Sequence, residues 1–284
     1  MLLDRVAGAP ISWGVCEVPG WGHQLTPDRV LAEMRAAGLV ATEFGPDGFL
    51  SDEPAAELAR YGLAAVGGFV PVVLHDGDPT KVVHTALDSF TAVGATTLVL
   101  AADTGATGYD QRVELDDEAW RRLLANLDRI RDIAGERGIT ATLHPHVGTV
   151  VERSEDVTRV LDGSDIALCL DTGHLMIGGS DPAKLAAEVP DRIAHTHLKD
   201  VDAGMAALVR SGKITYSAAV AEGMYRPLGE GDANIAAIIT TLEAAGYDGW
   251  YVLEQDTVLA AEPPAGQGPL SDVLASLVFV RGLG

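Results

Sequence analysis

The sequence predicts an α/β fold, one (β/α)8 TIM barrel spanning residues 1–284. Three observations carry that expectation. Short apolar runs alternate with longer amphipathic segments from end to end. Four of the runs close on polar clusters: Leu143-His144-Pro145-His146, Leu170-Asp171-Thr172-Gly173-His174, His195-Thr196-His197-Leu198-Lys199-Asp200 and Val252-Leu253-Glu254. No Gly-x-Gly-x-x-Gly follows the first run, which disfavours the doubly wound sheet with a nucleotide-binding turn.

The elements follow in order. Strand one is expected at residues 9–14. Thr26 caps a helix with Pro27 at its first position, and the stripe Val30, Leu31, Met34, Ala37 ends at Gly38. Strand two is expected at 41–45, a helix at 53–61 and strand three at 64–74. Asp78-Pro79 opens the helix that stops near Gly94, and strand four spans 96–101. A long helix after Asp116 runs to Arg137 and is closed by Gly138, followed by strand five at 139–144. Ser154 caps a short helix, and strand six spans 166–171. Asp181-Pro182 opens another helix before strand seven at 192–197. The insertion at 202–226 reads as carrying one helix. Asp232 caps the helix stopped by Gly246, strand eight spans 250–254, and a last helix ends near Arg281. The recurrence of strand, polar cap, helix and glycine stop is the signature of βα units.

Composition narrows the function classes. A hydrophobic share of 47% in 284 residues supplies a large core. The formal charge of −21 opposes a nucleic-acid partner, which calls for a basic footprint. No apolar stretch reaches membrane-spanning length, and Met1-Leu2-Leu3-Asp4-Arg5-Val6 has no long apolar region after a basic one, so neither a secretory leader nor a membrane partner is expected. The two cysteines, Cys16 and Cys169, lack metal-ligand spacing, which fits a reducing, cytoplasmic setting. Association as a homo-oligomer is compatible with this fold.

Strand periodicity directs the polar side chains. With Leu168 and Leu170 packing outward, Asp171 points into the barrel. His195 and His197 share one face, Glu254 lies with Val252, and His144 with Thr142. Each ends a strand on its inward side, where a barrel keeps its reacting groups. Two buried carboxylates at one rim need a counter-charge. A divalent metal held by Asp171, His197, Glu254 and His144 supplies it. Mixed nitrogen and oxygen donors suit Mn2+, Co2+, Fe2+ or Zn2+ better than Mg2+, and Mn2+ or Co2+ is the expected ion. Glu254 is the candidate base and Lys199 the candidate acid or charge stabiliser. Trp13, Glu43, His146, His195 and Glu230 are candidate substrate-binding residues. Asp171 read as a mere helix cap, Trp13 as core and Glu230 as a solvated turn are the competing structural roles.

These motifs resemble the xylose isomerase-like barrel superfamily of sugar isomerases, ketose 3-epimerases and endonucleases. The carrying segments are Pro10-Ile11-Ser12-Trp13, His144-Pro145-His146-Val147-Gly148-Thr149, Asp171-Thr172-Gly173-His174-Leu175, His195-Thr196-His197-Leu198-Lys199-Asp200 and Gly249-Trp250 through Glu254-Gln255-Asp256. The His-x-His-x-Gly-Thr segment is most similar to the inosose dehydratase branch of inositol catabolism. The resemblance implies Asp171, His197 and Glu254 as metal ligands and His174 as a catalytic group beside the metal, touching substrate. His144 stands where the epimerases carry a glutamate, and Glu254 is single where the dehydratases often carry two. The resemblance implies a metal-dependent lyase or isomerase acting on a sugar or cyclitol ketone through an enediolate. Its alternatives are a 3-epimerase and an endonuclease of the same barrel.

Overall fold

Among the described residues, 2–284, the computed structural model forms a ring of eight parallel strands. They are β1 (Val6–Gly8), β2 (Ala41–Thr42), β3 (Ala64–Ala65, continued by Gly67–Val72), β4 (Thr97–Ala102), β5 (Thr140–Leu143), β6 (Ala167–Asp171), β7 (Ile193–Leu198) and β8 (Tyr251–Leu253). The last strand returns to the first through Val6↔Tyr251, Ala7↔Val252 and Gly8↔Leu253. The ring closes at β3, whose first part pairs with β2 and whose second part pairs with β4. Gly67 permits that junction, because a Cβ there would stand 1.8 Å from the Thr97 carbonyl oxygen. The expected barrel is therefore the fold found.

Helices surround the ring: α1 (Pro27–Ala37), α2 (Pro54–Tyr61), α3 (Thr80–Val93), α4 (Asp117–Gly135), α5 (Ser154–Gly163), α6 (Thr172–Gly178), α7 (Pro182–Glu188), α8 (Ala203–Arg210), α9 (Tyr216–Ala221), α10 (Ile235–Ala244) and α11 (Pro269–Arg281). Leu168, Leu170, Ile193 and Tyr251 pack in the shell shared with the helices. Inside the ring, Ala7, Ala41, Val66 and Val252 form a separate apolar layer. Small residues suit this floor, because the interior of an eight-stranded ring has room only for side chains that fill it. No helix among the described residues is long and apolar enough to cross a membrane.

Five local expectations are corrected. Strand one is Val6–Gly8, and Pro10–Trp13 is a 3-10 turn closed by Gly14 at φ 81°. Pro10 has no N–H for a ladder but fits the first position of a helical turn. Helix α5 is capped through Asp156, whose carboxylate accepts the Arg153 N–H at 2.8 Å, not through Ser154. Asp232 does not cap α10. Its carboxylate accepts the Ala203 N–H at 2.9 Å, and Asn234, at φ 53°, occupies the cap position. The insertion holds two helices, α8 and α9, and Tyr225–Arg226 pairs antiparallel with Asp200–Val201. Helix α6 was not expected at all.

Asp200 organises the connection that follows this ribbon. Its carboxylate accepts the N–H groups of Gly229 at 2.8 Å, Gly231 at 3.1 Å, Ala233 at 3.0 Å and Val201 at 3.1 Å. Asp200→Ala strands four backbone donors and should cost at least about 2 kcal/mol. Urea unfolding of the variant checks this, and an unchanged midpoint would reject the anchoring role.

Candidate functional site

The C-terminal ends of five strands deliver the polar groups. Glu43 follows β2, His144 follows β5, Asp171 ends β6, His195 and His197 lie on β7, and Glu254 follows β8. All are buried. They sit at one end of a cavity of about 790 Å3, lined there by Glu43, His144, His146, His197, Lys199 and Glu254.

The local sequence explains how Asp171 is held. Its Oδ1 accepts the N–H groups of Gly173 at 2.9 Å and His174 at 2.8 Å, so the carboxylate caps α6. Its Oδ2 remains free for the barrel interior and lies 3.1 Å from His144 Nε2. One oxygen of Asp171 therefore caps the helix, and the other is directed at His144. Thr172 Oγ1 donates to the Lys199 carbonyl at 2.7 Å and accepts the Lys199 N–H at 2.8 Å. Gly173 lets α6 pass: a Cβ there would stand 2.7 Å from Lys199 Cβ and 2.8 Å from the Tyr225 ring.

His197 is the hub. Its Nδ1 lies 3.0 Å from Glu254 Oε2 and 3.6 Å from Asp171 Oδ2, and its Nε2 lies 3.0 Å from Glu43 Oε1. Donor atoms of His144, Asp171 and His197 lie within 4.8 Å of one another, as do those of Glu43, His197 and Glu254. Ligands about 2.1 Å from one ion stand no more than about 4.2 Å apart, and the His144–Asp171, His197–Asp171 and His197–Glu254 separations meet that limit. His197 Nδ1 is fully buried and makes no hydrogen bond despite facing two carboxylates. His144, Asp171 and His197 thus offer donors spaced for one divalent ion, and Glu254 approaches the same His197 nitrogen. Cys169 joins His195 and His197 in a third group, and its thiol is pushed up to about 11 by burial.

Lys199 is the second hub. Its Nζ stands 2.8 Å from Glu254 Oε2, 3.8 Å from Asp171 Oδ2 and in contact with Asp256. Tyr216 donates to Asp256 and lies 3.0 Å from the Tyr225 hydroxyl. Burial alone would lower the Lys199 ammonium, but Asp256, Glu254 and Asp171 hold it well above the usual range. Burial alone would raise the Glu254 carboxyl, but His197 and Lys199 hold it at about 2. Asp256 ends above the usual carboxylate range, because its burial outweighs Lys199. Burial also pushes His146 down to about 3 and leaves His144 and His174 below the imidazole range.

Those imidazoles set an acid limit. Held neutral when folded, His144, His146 and His174 take up protons more readily in the unfolded chain. Their contribution to stability is present above the unfolded value of about 6.5 and is lost as pH falls toward their folded values. The lowered Asp171 and Glu254 carboxyls act in the same direction below about pH 4. His197 is raised, so its contribution is already complete below about 6.5 and does not compensate. The metal-free protein should therefore lose Tm steadily from pH 6.5 to 4. A flat Tm over that interval would contradict the neutral-imidazole assignment.

Several candidate residues are placed elsewhere. Trp13 does not line the cavity. It is wholly buried, with its indole N–H on Glu33 of α1 at 2.9 Å, because the 3-10 turn rotates it outward. Glu230 is exposed, since Asp200 gathers its loop away from the mouth. His195 lies beneath Glu43, at 2.8 Å, and does not face the cavity. His174 sits behind His146, with ring centroids 3.8 Å apart, rather than on the lining. Glu43 meets two histidines. His146 does line the cavity, between Phe69 at 5.5 Å and Tyr109 at 4.6 Å.

Sequence reasoning missed Asp256, Tyr216, Tyr109 and Phe69. Asp256 was within reach, since two residues after Glu254 the strand parity repeats. Tyr109 arrives from the loop before α4, where Gly148 leaves room for its backbone: a Cβ on Gly148 would stand 2.4 Å from Tyr109 Cα. No local signal places Tyr216 or Tyr109.

The family model for xylose isomerase-like TIM barrels matches residues 27–275. The chain belongs to the xylose isomerase-like TIM barrel family. Among its curated relatives, a Geobacillus kaustophilus protein named inosose dehydratase is 33% identical over 275 residues, covering 90% of this chain and 89% of the relative. A Rhizobium meliloti protein named rhizopine catabolism protein MocC is 31% identical and covers 89% of this chain and 81% of its own. Solved barrels of this family share the fold at lower identity. The probable 3-DHS dehydratase AsbF from Bacillus anthracis has a TM-score of 0.71 at 14% identity, covering 98% of each chain. The IOLI protein with a bound zinc atom has a TM-score of 0.67 at 13% identity, covering 98% of this chain and 97% of its own.

Proposed function

We propose that the chain is a divalent-metal-dependent carbon–oxygen lyase that dehydrates a cyclic polyol ketone, with inosose as the substrate. The observation that carries this reading is the cluster of His144, Asp171, His197 and Glu254 beside Lys199 at the barrel mouth. The relative named inosose dehydratase supports the substrate, and the zinc-bound neighbour supports the metal class. His144, Asp171, His197 and Glu254 would hold the ion, which would supply Lewis-acid polarisation of the substrate carbonyl.

The chain's own groups then have separate tasks. Glu254, whose carboxyl is held well below the usual range by His197 and Lys199, accepts the proton from the carbon beside the carbonyl. Lys199, kept protonated by its three carboxylate neighbours, donates to the departing hydroxyl. Asp256, with Tyr216 behind it, holds that ammonium in place. His146, Phe69 and Tyr109 form a wall against one side of the ring. The 3-epimerase alternative lacks a second glutamate at the His144 position. Against the endonuclease alternative, Lys81 and Lys199 are the lysine and arginine side chains on the cavity lining among the described residues, in a chain of net charge −21.

The test is an assay with added Mn2+ or Co2+ on inososes and free ketoses, following dione absorbance and epimer formation together. Dione without epimer supports the lyase. Epimer without dione overturns it in favour of an isomerase. Chelation before the assay should abolish turnover, and added metal should restore it.

A further inference from the structure

We infer that Glu43 is a positioning residue that selects the nitrogen His197 offers to the metal, and that it does not bind substrate. The inference rests on the metal reading above. One oxygen, Glu43 Oε1, faces His195 Nε2 at 2.8 Å and His197 Nε2 at 3.0 Å. A carboxylate only accepts, so both nitrogens carry protons. Nε2 is thereby committed to Glu43, which leaves Nδ1, facing Asp171 and Glu254, as the nitrogen His197 would offer to a metal once its proton is displaced.

The opposite ring orientation is costly. It would turn a C–H toward Glu43 Oε1 and take a donor from a carboxylate buried within the barrel. Glu43 comes from β2 and the two histidines from β7, so the contact spans the ring and locks the imidazole from the side opposite the metal donors. His195 shares the same oxygen without facing the cavity. It steadies Glu43, and Glu43 steadies His197. Partners behind a metal-binding histidine typically account for about 10–100-fold in metal affinity.

The experiment measures Co2+ affinity by chelator competition, and the visible Co2+ spectrum, in wild type, Glu43→Gln, Glu43→Asp and His195→Asn. Glu43→Gln should bind about 10–100-fold more weakly, with a changed spectrum, while KM at saturating metal stays within about threefold. Glu43→Asp keeps the charge and should fall between wild type and Gln, which preserves the test if the neutral variant does not fold. His195→Asn should retain affinity better than Glu43→Gln, since Glu43 still reaches His197. Wild-type affinity and spectrum in both Glu43 variants, with a raised KM, would make Glu43 a substrate contact and overturn the inference alone. A wild-type protein that binds no Co2+ would overturn the metal reading together with it.

Discussion

His197→Ala should yield a protein with no measurable turnover and no retained metal. Among the described residues, His197 belongs to all three groups of side chains close enough to share an ion. Its ring touches Glu43 on one side and Glu254 and Asp171 on the other. Removing it takes away a proposed ligand and also the groups' shared partner. The variant keeps three buried carboxylates, and of the positive charges beside them only Lys199 remains. Leaving a buried charge without its partner costs about 3–5 kcal/mol. Metal analysis after dialysis, turnover and urea unfolding should all register the change. Retained metal with wild-type turnover would reject the coordination proposed here.

Glu254→Gln separates chemistry from folding. The substitution keeps the shape of the side chain and removes its charge. Lys199 Nζ, 2.8 Å away, keeps Asp256 and Asp171 as partners, so the fold should survive. A neutral amide cannot accept the substrate proton and is a poorer metal ligand. Loss of a positioned base alone costs about 10²–10⁴-fold in rate. The expected result is a folded variant with kcat down by at least about 100-fold and weakened metal retention. A wild-type rate in the dione assay, with full metal content, would assign the base elsewhere.

The barrel was legible because each βα unit announces itself locally. Thr26 and Asp116 cap α1 and α4 as expected, and Gly38, Gly62 and Gly94 stop α1, α2 and α3 in the left-handed conformation. The inward direction of Asp171, His197 and Glu254 follows from alternation along short strands. Trp13 was misplaced because Pro10 converts an apolar run into a 3-10 turn, and runs of four apolar residues do not distinguish the two. Asp232 has good capping chemistry, yet its carboxylate is taken by Ala203, 29 residues earlier in the chain.

By itself, the sequence determined the inward direction of the polar groups that end strands, among them Asp171, His197 and Glu254, because side-chain direction in a strand depends on parity. The tertiary structure alone decided who meets whom. Glu43 and His195 are 152 residues apart, and Tyr216 and Asp256 are 40 apart. Their contacts depend on strand register, ring closure and the course of an insertion. Those features arise from burial summed over the whole barrel and leave no mark in any one segment.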